Sequence, residues 1–138
     1  NARLGDPETQ AILPIVQLDL VEQMCLAIEG KLTGGEWGQA TRQACACVVL
    51  ASGGYPGTYE NGKEIHGLEE VKKLEQVKVF HAGTVLKEGK IVTGGGRVLG
   101  VTAWDMDHRG ALKRAYAAVD KISFQGMHYR KDIGWRAM

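Results

Sequence analysis

The chain has 138 residues, a formal net charge of +1 at pH 7 and 44% hydrophobic residues. This length allows a domain with its own core, and the near-neutral charge gives no bulk attraction for nucleic acid or a membrane surface. No apolar run approaches the about 20 residues of a membrane span. The three cysteines, odd in number and without a spaced framework, argue against a disulfide scaffold and fit a reducing cytoplasm.

The first predicted element is a helix from Asp6 to about Val16, interrupted by Pro14 because proline lacks the N–H that a helix interior needs. Asp6 before Pro7 has the form of an ordinary helix start, in which aspartate caps free backbone N–H groups and proline takes the first helical position. Glu8 in the first turn would complement the helix dipole. This structural interpretation leaves the polar residues before Asp6 unexplained.

A second helix is predicted after Asp19, which has capping-box spacing with Glu22. Its apolar residues recur at helical spacing. They are Val21, Met24, Cys25, Ile28 and Leu32. The helix is expected to end at Gly34-Gly35, and we interpret it as a packing element without chemistry. Residues 33–42 are predicted to form a linker to a second structural unit.

An apolar run from Ala44 to Ala51 predicts a buried strand. Cys45 and Cys47 share one face of it, because side chains alternate along a strand. We interpret them as buried small hydrophobic residues; a metal-binding Cys-x-Cys pair is the alternative, although no second pair completes it. The glycine-rich residues 52–57 are interpreted as a turn, since they lack the lysine and following helix of a P-loop.

The second half of the chain has a β pattern followed by a helix. Strands are predicted at residues 77–82, at 84–86 and 91–93 as a hairpin, and at 97–103 after three glycines. Asp107 is expected to cap a helix with one apolar face. That face carries Leu112, Ala115, Tyr116, Val119 and Ile122. The order of elements predicts an α+β fold, in which a small antiparallel sheet carries one packed helix and an irregular tail follows.

The opening residues 1–8, Asn-Ala-Arg-Leu-Gly-Asp-Pro-Glu, resemble the end of the ATP-grasp domain in phosphoribosylamine–glycine ligases, with Leu4 in place of the family's phenylalanine. Further stretches resemble the same family in the same order, at residues 53–57, 79–84, 95–99 and 130–137. The resemblance extends over essentially the whole chain. It implies that residues 1–35 are the C-terminal remnant of an ATP-grasp domain and that residues 36–138 form the C-terminal domain of the ligase.

The resemblance implies an ATP-dependent carbon–nitrogen ligase of de novo purine (IMP) biosynthesis. Such an enzyme joins glycine to 5-phosphoribosylamine through a glycyl phosphate and releases glycinamide ribonucleotide, ADP and phosphate. ATP and Mg²⁺ or Mn²⁺ are the implied cofactors, and the remaining N-terminal part of the same enzyme is the implied partner. We expect this chain alone to be inactive, because the adenine pocket and one metal-binding carboxylate would lie upstream of it.

The same resemblance assigns roles to the opening residues. Asn1 would coordinate Mg²⁺ through its side-chain oxygen, since this hard cation prefers oxygen ligands. Arg3 would lie against the acyl phosphate, where its planar set of donors suits a phosphoryl group. Asp6 and Glu8 would orient the glycine ammonium or the attacking amine, without a choice between the two.

A substrate with a 5′-phosphate needs a cationic site. Arg97 is the first candidate, with the backbone N–H groups of Gly95 and Gly96 as further donors. Lys131 or Arg136 would complete the site. The structural alternatives are that Arg97 is a solvated strand residue and that Arg136 pairs with a carboxylate in a packed tail.

A different class of function is also open. A small sheet domain with a glycine-rich loop and a basic tail could be a non-catalytic module that binds a phosphorylated ligand or a partner subunit. ATP-dependent product formation, when the chain is combined with an upstream ATP site, would separate the ligase from such a module.

Overall fold

The structure is a computed structural model that describes residues 3–32 and 42–137. The first of these ranges, called here the N-terminal segment, contains α1 (Glu8–Ile12), a short 3-10 helix (Leu13–Ile15) and α2 (Leu20–Ile28). Pro14 lies at the start of the 3-10 helix. The predicted interruption of the first helix by this proline is therefore confirmed.

The two helix starts of the N-terminal segment differ in their capping. The N-cap of α1 is Pro7, and no side chain caps this helix. The interpretation of Asp6 as a cap is therefore wrong, because its carboxylate is used by other partners described below. Asp19 caps α2 as predicted, since its Oδ1 accepts hydrogen bonds from the N–H groups of Val21 (2.9 Å) and Glu22 (3.1 Å).

The length and packing of α2 both differ from the prediction. The helix ends at Ile28, and Gly30 follows with a φ of +66° in the left-handed region that favours glycine. The predicted end at Gly34-Gly35 is therefore wrong. None of the helix residues is buried, and Val21 and Ile28 are 70% and 87% exposed, so α2 is not a packing element among the described residues. Nearly all of the predicted linker, residues 33–42, lies outside the described residues.

Residues 42–137, called here the sheet unit, contain the strands and the longest helix. The elements are β1 (Ala44–Ala51), α3 (Leu68–Val71), β2 (Val77–His81), β3 (Thr84–Lys87), β4 (Lys90–Thr93), β5 (Arg97–Asp105), α4 (His108–Val119) and a final 3-10 helix (Trp135–Ala137). The main sheet is antiparallel with the order β1-β5-β2, and β3 and β4 form a separate hairpin. The predicted α+β class with a small antiparallel sheet is confirmed, whereas α3 was not predicted.

One face of the sheet and α4 form the hydrophobic core. As predicted, Asp107 caps α4: its carboxylate accepts a hydrogen bond from the N–H of Gly110 (2.7 Å). The core includes Val48, Leu50, Leu99 and Val101 from the sheet and Ala115, Ala118 and Val119 from α4. Each fully buried valine or leucine side chain stabilises the fold by about 1.5–3 kcal/mol. No helix in the described residues is both long and apolar enough to cross a membrane.

The opposite face of β1 carries Cys45 and Cys47, which pair in register with Trp104 and Thr102 of β5. Both cysteines are half-buried, not buried as predicted, because α1 covers only part of this face. Burial raises the pKa of the Cys45 thiol to about 11. Burial also raises the pKa of the Cys47 thiol, and the nearby negative charge of Asp6 raises it further. The thiols are therefore protonated near pH 7. The described ranges contain no cluster of three or more potential metal-ligating side chains.

Candidate functional site

The turn before β5 is held in place by the loop that follows β1. The hydroxyl of Ser52 donates to the carbonyl oxygen of Gly95 (2.8 Å), and the N–H of Ser52 donates to the carbonyl oxygen of Gly96 (2.8 Å). A Cβ at Gly96 would lie 2.1 Å from the ring of Tyr55, and a Cβ at Gly83 would lie 2.7 Å from the Cα of Gly95. These close approaches require glycine. The hydrogen bonds and close contacts together fix the position of the turn and of the residue that follows it.

That residue is Arg97, and its guanidinium contacts Asp6, which lies 91 residues earlier in the chain. The Nη2 atom of Arg97 lies 2.9 Å from Oδ2 of Asp6, and Nη1 donates to the main-chain carbonyl oxygen of Asp6 (3.1 Å). The two side chains are 41% and 45% exposed, so the ion pair is open to solvent. It joins one residue of the predicted catalytic set to one residue of the predicted phosphate-binding set. Arg97 is therefore not simply a solvated strand residue.

Asp6 also belongs to a compact turn at the start of α1. Its Oδ1 accepts a hydrogen bond from Nε2 of Gln10 (2.9 Å). The N–H of Thr9 donates to the carbonyl oxygen of Gly5 (3.0 Å), and the Thr9 hydroxyl donates to the same oxygen. The carboxylate of Glu8 folds over Gly5, where a Cβ would lie 2.2 Å from Oε2. Gln10 had no assigned role among the predicted site residues, although its spacing of four residues from Asp6 is that of side chains that meet on a helix.

The other predicted residues of the opening motif are less constrained. Arg3 and Glu8 are exposed and lie on the same short stretch as Asp6. Asn1, the predicted metal ligand, lies outside the described residues. In the glycine-rich turn, Gly96 is buried and Gly95 is half-buried. An anion from solvent therefore has easier access to the Arg97 guanidinium than to the Gly96 backbone.

The tail packs against α4, on the opposite face of the sheet from Asp6. The hydroxyl of Tyr116 in α4 donates to the carbonyl oxygen of Arg130 (2.8 Å) and accepts a hydrogen bond from the N–H of Ile133 (3.2 Å). Lys131 lies between these two anchored residues. The structure therefore places Lys131 at α4 and does not bring it to the Asp6 side of the sheet.

Arg136 has a different neighbour from the one considered in the sequence. Its guanidinium carbon lies 5.1 Å from the centre of the Trp135 ring, which is a cation–π contact. The ion pair of the tail joins Arg130 to Asp132 (2.8 Å), and this contact lowers the pKa of the Asp132 carboxyl. These side chains line a polar depression of about 320 Å³. The depression is formed by the tail itself and not by the glycine-rich turn.

Comparisons with known proteins place the whole arrangement in one family. Residues 45–136 match the model of the family described as phosphoribosylglycinamide synthetase, C domain. The phosphoribosylamine–glycine ligase of Synechocystis sp. is 50% identical over the entire chain, which covers 33% of that protein. The trifunctional purine biosynthetic protein adenosine-3 of Gallus gallus is 51% identical, and the chain covers 14% of it. The chain thus spans about a third of the length of the single-function ligases that it matches.

A solved structure has the same fold. The phosphoribosylamine–glycine ligase of Thermotoga maritima matches 96% of this chain with a TM-score of 0.78 and 36% sequence identity, and the match covers 32% of that protein. The family match, the high identity to curated ligases and the shared fold all point to the same family. The chain belongs to the family of the phosphoribosylglycinamide synthetase C domain and corresponds to the C-terminal part of phosphoribosylamine–glycine ligases.

Proposed function

We propose that this chain is part of an ATP-dependent ligase that joins glycine to 5-phosphoribosylamine in de novo purine (IMP) biosynthesis. The reaction proceeds through a glycyl phosphate and gives glycinamide ribonucleotide, ADP and phosphate. The observation that carries the proposal is the contact between Asp6 and Arg97. It brings together two stretches that resemble the family separately, the opening motif and the glycine-rich turn. A cytoplasmic location fits this pathway and the three free cysteines.

The N-terminal segment supports the proposed division of the chain. None of its described residues is buried, although α2 is largely apolar. An apolar helix with no buried residue needs another surface to cover it. The proposed surface is the rest of the ATP-grasp domain, which would precede residues 1–35 in the same enzyme. Residues 36–138 form the C-terminal domain, and the family match at residues 45–136 lies within it.

The opening motif would act on the glycyl phosphate. Arg3 is exposed and is proposed to offset charge on the acyl phosphate, where a planar set of N–H donors fits phosphoryl oxygens. The Asp6 carboxylate already has a partner on each oxygen, Arg97 on one and Gln10 on the other. Glu8 is therefore the carboxylate proposed to orient the glycine ammonium or the attacking amine.

Arg97 is proposed to bind the 5′-phosphate of phosphoribosylamine. Two of its nitrogen atoms contact Asp6, and an arginine has further N–H groups for a second anion. The backbone of Gly95 is half-buried and is proposed to contribute a further N–H donor, whereas Gly96 is buried. Lys131 and Arg136 remain proposed contributors. Lys131 lies between two residues that are hydrogen-bonded to α4, and Arg136 contacts Trp135, so Arg97 is the stronger candidate.

ATP and Mg²⁺ or Mn²⁺ are the proposed cofactors. The described residues do not by themselves supply a set of metal ligands, since they contain no cluster of three or more suitable side chains. Asp6 is also unsuited to a metal, because its oxygens are held by Arg97 and Gln10. The proposed metal ligands are therefore Asn1 and residues in the rest of the enzyme.

The proposal is tested by assaying a full-length ligase that contains this chain, with ATP, glycine and phosphoribosylamine. Arg97→Ala should mainly raise the KM for phosphoribosylamine, by roughly ten- to a hundred-fold for a lost charge-assisted contact, and leave the KM for ATP nearly unchanged. Arg97→Lys should recover part of this loss, because a point charge replaces a planar set of donors. Arg3→Ala should mainly lower kcat, because its proposed role is in the reacting step.

The controls separate the proposed roles from general effects of charge. Arg114→Ala removes another partly exposed arginine and should leave both KM values unchanged. The 138-residue chain alone should give no turnover. If Arg97→Ala leaves the KM for phosphoribosylamine unchanged, the phosphate site lies elsewhere, and Lys131 and Arg136 are tested next. Phosphate binding without turnover in the full-length protein would favour a non-catalytic module instead.

A further inference from the structure

The Asp6–Arg97 contact holds the main chain of the opening motif as well as a side chain. One guanidinium nitrogen contacts the carboxylate of Asp6 and the other donates to its backbone carbonyl oxygen. Such a two-point contact fixes orientation as well as distance, because the guanidinium is planar. The residues on either side of Asp6, including Arg3 and Glu8, are therefore positioned relative to Arg97.

The two ends of this contact differ in rigidity. Arg97 lies on the central strand of the sheet, where it pairs with Ala51 and its carbonyl oxygen accepts a hydrogen bond from the N–H of Gly83 (2.8 Å). Asp6 lies in a segment with no buried residue among those described. Arg97 is thus the fixed end, and the opening motif is the end that it positions.

The opening motif can respond to this anchor as a unit. Asp6 and Gln10 are joined by a side-chain hydrogen bond (2.9 Å), and the carbonyl oxygen of Gly5 accepts a bond from the N–H of Thr9 (3.0 Å). Glu8 lies directly over Gly5 within the same turn. A shift of Asp6 therefore carries Glu8 with it.

The ion pair is too exposed for its main effect to be on stability. Partly exposed ion pairs contribute little to folding, because solvent screens them and ordering two long side chains opposes them. Asp6 nevertheless restricts the rotamers of the Arg97 side chain. A second anion that binds the remaining N–H groups of an ordered arginine loses less conformational entropy on binding.

We propose that Asp6 is a positioning residue that couples the phosphate site at Arg97 to the opening motif. This inference rests on the proposed phosphate-binding function of Arg97. Asp6 orders the guanidinium for the 5′-phosphate, and the bound phosphate in turn restrains Asp6 together with Arg3 and Glu8. Coupling between two sites is reciprocal for binding free energies. Occupation of the phosphate site therefore prepares the stretch proposed to act on the glycyl phosphate.

The test is a titration of the 138-residue chain with ribose 5-phosphate, followed by NMR of the backbone amides, with ribose as the ligand control. In the wild type, amides near Arg97 and amides of residues 5–10 should both shift. Asp6→Asn should weaken binding by about three- to ten-fold and should abolish the shifts at residues 5–10. Asp6→Asn is isosteric, and circular dichroism of the same sample checks that the fold is retained.

Asp105→Asn is the matched control, because it disrupts another aspartate–arginine pair at the opposite end of the same strand, where Nε of Arg114 lies 2.6 Å from Oδ2 of Asp105. It should leave the affinity and the shifts at residues 5–10 unchanged. Equal or tighter binding by Asp6→Asn, as expected if the carboxylate only repels the phosphate, or shifts confined to the surroundings of Arg97, would overturn the coupling and leave the phosphate site intact. No shift near Arg97 at any concentration would overturn both the coupling and the proposed role of Arg97.

Discussion

The N-terminal segment and the sheet unit contain similar apolar residues that differ in solvent exposure. Ile28 in α2 is 87% exposed, whereas Ile122, just after α4, is 2% exposed. Both residues belong to a helical pattern of apolar positions in the sequence. The difference teaches that such a pattern predicts a helix with an apolar face, but does not predict whether this stretch of chain provides a surface that covers that face.

The two regions also differ in what holds them in place. The sheet unit is held by a core between α4 and one face of the sheet. The N-terminal segment contacts the sheet unit through the Asp6–Arg97 pair and through α1, which lies against β1 and β5. Polar contacts at the surface orient a segment without stabilising it strongly. The N-terminal segment, in which no described residue is buried, is therefore expected to be the less stable of the two regions.

The largest expected effect comes from a matched pair of isoleucine substitutions. Ile122→Ala should lower the free energy of unfolding by about 2–5 kcal/mol, because it leaves a cavity in a packed core. Ile28→Ala should change it by less than about 0.5 kcal/mol, because the side chain is already exposed. Urea unfolding of the 138-residue chain measures both. In a full-length ligase the Ile28 substitution should become destabilising, and an equally small effect there would argue against burial of α2 in the complete enzyme.

Thiol labelling compares the two regions in a second way. Cys25 is exposed on α2, whereas Cys45 on β1 has a pKa raised to about 11, chiefly by burial. Because the thiolate is the reactive form and Cys45 is also less accessible, Cys25 should react faster than Cys45 at pH 8. Mass spectrometry after timed maleimide treatment measures the rates. Equal labelling rates for Cys25 and Cys45 would mean that β1 opens readily. In a full-length ligase, Cys25 should be protected from labelling if α2 is covered.

Helix caps give the smallest expected difference. Asp107→Ala should lower the free energy of unfolding by about 0.5–2 kcal/mol, because α4 is part of the core and loses the cap on the N–H of Gly110. Asp19→Ala should reduce the helical circular dichroism signal of α2 without moving the urea midpoint of the sheet unit. A shift of the midpoint by Asp19→Ala as large as that by Asp107→Ala would show that the two regions unfold together.

Local signals in the sequence determined much of the architecture. The caps at Asp19 and Asp107, the interruption at Pro14, the strands and the hairpin were all predicted, because these features depend on residues a few positions apart. The family was also recognisable, since its motifs occur in order along the chain. Two errors had different causes. The end of α2 was a missed local signal, the left-handed Gly30, whereas the burial of Cys45 depends on what covers its strand face.

The pairing of the candidate site was decided by the tertiary structure alone. Asp6 looked like a helix cap and Arg97 like either a phosphate ligand or a solvated strand residue, because nothing local links positions 91 residues apart. Their contact depends on α1 lying across the face of the sheet opposite to α4, while the glycine-rich turn is held by Ser52 and Tyr55. The sequence by itself determined the residue types and elements. Only the path of the folded chain decided which charges meet, because ion pairing depends on distance in space and not on separation along the chain.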